Sequence, residues 1–380
     1  MINERFTAQQ YDVFAGLDVH KKSIAATFLE QTGEIKQVNM PYNTERLFKF
    51  VQNHYPDKRI AFVYESGPTG FNLYDIIVSR GHFCMVTAPS QVPRIPGKHI
   101  KTDRIDSEKL SMNLRGGQLK GIIVPSPVYR ELRQLVHLRD TFKKQAVATK
   151  ARIKSLLLLN GIPFPNQDKE NSWTRNIISH LKKLSCSEPL RFNLNKLLSS
   201  LDFFSTNIIE TTRTIRFYCK NNPIISKNIG YLMSIPGIGF ITASQIIARI
   251  GDPQHLKSYD QIGAFVGLVP REYSSGDNVR RGAITRTGNT SLRNKLIQCA
   301  WSTIRKDPEL KAFYDNIYRR NKNDYGAKKA ITAVARKLTT RIFAVLTEQR
   351  NYELRTHIKE NGTSSQGKDS APFRNTTTKQ

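Results

Sequence analysis

The chain is 380 residues long, 39% hydrophobic, and carries 59 Lys+Arg against 31 Asp+Glu, a formal net charge of +28 at pH 7. Such a length accommodates two or more cores, and the cationic excess favours polyphosphate partners, nucleic acid first among them, through counterion release. With no run of about 18 apolar residues and no secretory leader, the expectation is a cytoplasmic protein rather than a membrane one.

The segment 13–19 is a short apolar strand ending in an acid, and 23–29 and 35–40 follow it across Gly33, so a three-stranded meander is expected. Thr44 reads as the N-cap of a helix through His54, 60–64 as a strand, 70–80 as a helix and 83–88 as a strand. Pro89, Pro93 and Pro96 interrupt the chain before a helix that begins near Thr102 and runs to about Leu114. This order of elements suggests a ribonuclease H-like α/β domain over residues 10–125.

From Val128 to Asn160 there is neither Pro nor Gly, and Leu135, Phe142, Ala146, Ile153 and Leu156 fall on helical spacings. A long helix results, either packed on its own domain or paired as a coiled coil. Residues 126–223 are therefore expected to be a helical middle segment, with Pro189 and Pro223 read as breaks. A second compact, mostly α-helical domain is expected over 224–352, and 353–380 is polar enough to be a disordered tail.

Asp18 and Glu65 each close a predicted strand, while Asp103 and Asp106 stand three apart on a predicted helix and share one face. Taken singly, Asp103 and Asp106 are better read as a helix N-terminal charge pair with the macrodipole, and Asp18 and Glu65 as partners of nearby lysines. Together they form a set of oxygen donors suited to a hard divalent cation, Mg²⁺ or Mn²⁺, acting on phosphate. Cys84, Cys186, Cys219 and Cys299 lack paired spacing, and the eight histidines show no ligand spacing, which argues against structural zinc. No Walker or dinucleotide loop is present.

Toward the C-terminus, 235–239 reads Ile-Pro-Gly-Ile-Gly between two helical patterns, a helix-hairpin-helix-like element whose Gly237 and Gly239 would offer backbone N–H groups to phosphate. An ordinary interhelical turn has the same composition. A hydroxyl-bearing turn, Tyr273 to Asp277, then precedes Arg280, Arg281, Arg286, Arg293 and Lys295, candidates for phosphate contacts. Between Arg271 and Arg350 there are 18 Lys+Arg against 7 Asp+Glu, interleaved with Trp301, Phe313, Tyr314 and Tyr318.

The strings GLDVHKKS (16–23), YESGPTGFNLY (64–74), KTDRIDSEKL (101–110), IPGIGFITA (235–243), GAFVGLVPREYSSG (263–276) and GAITRTGNTSLR (282–293) resemble the DEDD-type transposases of the insertion-sequence 110 family, including its 1111 subgroup. The resemblance covers most of residues 12–350. It implies a Holliday-junction-resolvase-like first domain with Asp18, Glu65, Asp103 and Asp106 as metal ligands. It also implies that Ser275, with Ser274 as runner-up, attacks DNA and carries a covalent phosphoserine.

The resemblance further implies a homodimer or homotetramer joined through residues 128–160 and a structured noncoding guide RNA that pairs with element ends and target DNA. The setting would be the bacterial or archaeal cytoplasm, close to the nucleoid. Two other readings stay open: a metal-dependent Holliday-junction-type endonuclease that never links to DNA, and a non-catalytic nucleic-acid-binding protein.

Overall fold

The computed structural model describes residues 6–93, 102–165, 173–275, 278–285, 287–320 and 325–354. The chain divides into two compact units, 1–125 and 126–380.

In the first unit, strands β1 (Val13–Val19), β2 (Ser23–Glu30) and β3 (Ile35–Pro41) form an antiparallel meander. Helix α1 (Thr44–His54), strand β4 (Ile60–Glu65), helix α2 (Asn72–Ser79), strand β5 (Phe83–Thr87) and helix α3 (Asp103–Arg115) follow. The sheet order is β3-β2-β1-β4-β5, with β1, β4 and β5 mutually parallel. The N-cap of α1 is Asn43, one residue before the expected Thr44, because its side chain accepts from the Arg46 amide.

Strand alternation sorts the core onto the two faces of this sheet. Ala15, Leu17, Phe62 and Tyr64 pack with Leu47, Phe48 and Val51 of α1 and Leu73 and Ile77 of α2. Phe14, Ala61 and Val63 point the other way, onto Leu110 and Leu114 of α3. Gly16 lies on that second face, where a Cβ would stand 2.1 Å from the Ser107 carbonyl oxygen and 2.5 Å from the Ser111 amide nitrogen. Only a hydrogen fits there, so α3 lies directly on β1, with Ser107 and Ser111 fully buried and the Ser107 and Thr27 hydroxyls 2.8 Å apart.

The second unit is mostly helical: α4 (Pro127–Leu159), α5 (Arg175–Lys183), α6 (Glu188–Lys220), α7 (Pro223–Met233), α8 (Phe240–Ile250), α9 (Tyr259–Val266), α10 (Thr290–Thr303), α11 (Pro308–Arg320) and α12 (Gly326–Thr347). Between α9 and α10 the chain forms an antiparallel hairpin of β6 (Pro270–Ser275) and β7 (Asn278–Ile284). Pro189 and Pro223 mark breaks between helices as expected, each standing in the first turn of the helix that follows, α6 and α7. A helix start tolerates proline because its missing N–H has no intrahelical partner at that position.

Helices α4 and α6, 33 residues each, lie side by side and end in two different cores. At one end Tyr129, Leu132 and Val136 of α4 and Ile215 and Cys219 of α6 join the core of α7–α10 and α12. At the other, Ile153 and Leu157 of α4 meet Leu194, Leu198 and Leu201 of α6 and Ile177 and Leu181 of α5. One end of α4 and α6 thus shares a hydrophobic core with the C-terminal helices, while the other end packs with α5 in a second core. The tail expected to be disordered lies, beyond Leu354, outside the described residues.

Candidate functional site

Strands β1 and β4 run parallel with Leu17 opposite Tyr64, so Asp18 and Glu65 are the next residues at the same edge of the sheet. Asp18 alternates with Phe14 and Gly16, and Glu65 with Ala61 and Val63, which brings both acids to the face covered by α3. Thr102 caps α3 by accepting from the Ile105 amide, and Asp103 and Asp106 form its first turn. The close seat of α3 on Gly16 delivers this turn to Asp18.

His20 completes the group. Its Nε2 stands 3.3 Å from an Asp18 carboxylate oxygen and 3.5 Å from an Asp103 oxygen. Donor atoms of Asp18, His20 and Asp103 all lie within 4.8 Å of one another, the one such cluster among the described residues. Burial raises the Asp18 pKa above its ordinary value; His20 opposes the shift, and the Asp103 and Asp106 charges add to it. Carboxylate oxygens of Asp18 and Asp103 with the His20 imidazole between them make a donor set that fits a divalent cation.

In the second unit, Tyr273–Ser275 of the expected turn are strand, and its residues 276–277 lie outside the described residues. Strand β6 continues through Ser274 and Ser275, which pair with Val279 and Asn278 of β7. The two candidate serines therefore sit at the tip end of a hairpin, and Arg280 and Arg281 lie along its return strand opposite Tyr273 and Glu272. A partner strand close in sequence makes extended backbone the better use of this segment than a turn.

Two family models match the chain: a DEDD transposase domain of the IS110 type over residues 15–161, and the IS116/IS110/IS902 transposase family over 230–315. Among similar proteins, y4qE of Sinorhizobium fredii, named as a transposase, is 28% identical over 80% of this chain and 75% of its own length. The transposase for insertion sequence element IS1533 of Leptospira borgpetersenii is 27% identical over 63% of this chain and 70% of its own length. The transposase for insertion sequence element IS1111A of Coxiella burnetii is 27% identical over 67% of this chain and 69% of its own length.

The chain is an insertion-sequence transposase of the IS110 family. As such it acts on DNA by phosphoryl transfer. The first match spans the acid cluster and α4, the second the α7–α8 turn, the hairpin and α10.

Within this second region the transposase uses several of its candidate phosphate-binding residues for its own architecture. Gly237, at φ +90°, faces α10: a Cβ would stand 2.6 Å from the Thr303 hydroxyl, which donates to the Pro236 carbonyl at 2.7 Å. Gly239 is the N-cap of α8, with open space beside it. Arg293, expected on a cationic surface, is buried and donates to the Val266 carbonyl at 3.0 Å and the Thr290 hydroxyl at 3.1 Å. Its chemistry suits this role, because a guanidinium can bridge several acceptors at once.

Lys295 is half-buried on α10 beside Lys143, Arg139 and Asp140 of α4; burial and the Lys143 charge lower its pKa, Arg139 adds to this, and Asp140 opposes it. Asp140 in turn accepts from the Gln245 side chain at 2.9 Å. Arg286 lies outside the described residues.

Sequence reasoning missed His20 and Gly16. The signal was present, since both sit two residues from Asp18 and share its strand parity. No helix of the described residues is long and apolar enough to cross a membrane.

Proposed function

We propose that this transposase is a metal-dependent site-specific recombinase that cuts and rejoins DNA through a phosphoserine. The observation that carries the reading is the meeting of Asp18, at the end of β1, with His20 and with Asp103 in the first turn of α3. Asp18, Glu65, Asp103 and Asp106 would hold Mg²⁺ or Mn²⁺ there. A bound cation would supply charge neutralisation at the phosphate under attack. The sheet order, with a meander joined to two parallel strands, supports the ribonuclease H-like reading of this unit.

In the proposed step, the Ser275 Oγ attacks a phosphodiester phosphorus. An Oγ–P bond forms, a P–O bond to one sugar breaks, and the serine proton ends on the released sugar oxygen. The reverse step, with a hydroxyl from another strand, rejoins DNA without outside energy. The hairpin setting of Ser275 supports this role, because its pairing with Asn278 puts it at the end of β6 next to the cationic strand β7.

The +28 charge supports two polyanionic partners, DNA and a structured guide RNA of the element. The tilted contact of Trp301 with Tyr314 and the parallel stack of Tyr314 on Tyr318 offer aromatic faces for bases. Exposed Val147, Phe192, Phe203 and Phe217 on α4 and α6 support self-association into a dimer or tetramer.

The test is adduct trapping. Protein, guide RNA and end-labelled junction DNA are incubated with Mg²⁺ or Mn²⁺ and denatured. A DNA-linked band is expected from the native chain, none from Ser275→Ala, and none from Asp18→Asn. An adduct retained in Ser275→Ala but lost in Ser274→Ala would move the nucleophile by one residue. Strand cleavage without any adduct would establish the hydrolytic endonuclease instead, and binding without cleavage the non-catalytic reading.

A further inference from the structure

The imidazole of His20 has no role in a site described by four carboxylates alone, yet it stands between two of them. Its separations of 3.3 and 3.5 Å from the Asp18 and Asp103 oxygens are longer than the roughly 2.7–2.9 Å of a charge-assisted hydrogen bond. They are close to a different length. Neighbouring ligands of an octahedral cation bound at about 2.1 Å lie about 3.0 Å apart, so the imidazole is within a few tenths of an ångström of ligand spacing from each acid, and the donor atoms of all three residues lie within 4.8 Å of one another.

The backbone supports that placement. The His20 amide donates to the Ser23 carbonyl at 2.9 Å, closing the β1–β2 turn, and Tyr42 holds the same turn through the Lys22 carbonyl at 2.9 Å. The ring is therefore carried on a fixed loop at the sheet edge.

We infer that His20 is a nitrogen ligand of the cation held by Asp18 and Asp103, and that it tilts the site toward Mn²⁺ over Mg²⁺. The inference rests on the metal-site reading above and adds its donor set and selectivity. Mg²⁺ demands oxygen ligands and gives up water reluctantly. Mn²⁺ belongs to the divalent series whose members accept nitrogen donors, so an imidazole favours it selectively.

The experiment uses the full chain titrated with Mn²⁺ and read by electron paramagnetic resonance, with electron-spin-echo detection of coupled ¹⁴N. Native protein is expected to bind Mn²⁺ saturably with an imidazole ¹⁴N modulation. His20→Gln should lose the modulation and about tenfold in Mn²⁺ affinity, a loss of the size seen when a supporting group is removed from a metal site, while Mg²⁺ competition changes less than about twofold. Saturable binding that disappears in Asp18→Asn but never shows ¹⁴N coupling would overturn the role of His20 and leave the acid site standing. Absence of any Asp18-dependent Mn²⁺ binding would overturn both.

Discussion

Asp18 is the residue on which the first unit's chemistry and stability meet. Its carboxyl is pushed up first by burial, then by the charges of Asp103 and Asp106, and His20 opposes the shift. Because the folded-state pKa lies above the unfolded one, the ionised form is the disfavoured form. That penalty is absent below the unfolded pKa, grows as pH rises toward the folded value, and is complete above it. In metal-free protein, Asp18→Asn should therefore be stabilising at pH 8, on the order of 0.5–1 kcal/mol, and nearly neutral at pH 3. Thermal melts in chelator at the two pH values check this; equal or lower stability of the variant at pH 8 would refute it. Added Mn²⁺ should reverse the order, because only the native carboxylate can bind it.

At the scale of elements, the hairpin that carries Ser274 and Ser275 is anchored through its base. Gly267 ends α9 at φ +69°, where a Cβ would meet the Thr287 carbonyl oxygen at 2.0 Å. Gly288, at φ +101°, reciprocates against the Phe265 carbonyl oxygen at 2.4 Å. The Asn289 amide donates to Phe265 and the Thr285 amide to Val269, with Arg293 closing the group from α10. Gly288→Ala should cost about 1–3 kcal/mol and speed hydrogen exchange at Thr285 and Asn289 while leaving the centre of α12 protected. Uniform loss of protection throughout the second unit would show that the base is not a separate anchor.

This clamp also explains which parts of the fold were legible. Strand ends at Asp18 and Glu65 and the i, i+3 pair of α3 are local signals, readable from a few residues. The hairpin was not, because Tyr273–Ser275 becomes strand only through its pairing with Asn278–Arg281. Arg293 reads as surface in a cationic run, and only the folded position of Val266 gives it buried acceptors. Pro189 was ambiguous in sequence, since the same residue that breaks a helix interior opens a helix of 33 residues.

At the scale of the whole molecule, the +28 charge predicts how DNA is held. If binding neutralises about 6–10 phosphates, affinity for duplex should fall about 10³-fold or more between about 50 and about 200 mM salt. A fluorescence titration across that range checks it, and a flat response would mean that basic residues contribute little to the contact. The seat of α3 on Gly16 carries a consequence for descent as well. Residue 16 lies beneath α3, and a methyl there would lift the helix that bears Asp103 and Asp106 away from Asp18. Glycine and aspartate, two positions apart on one strand, should pass through lineages as a single unit. A descendant that loses the glycine is released from selection on the aspartate too, and decayed copies of the element should show the two changes together.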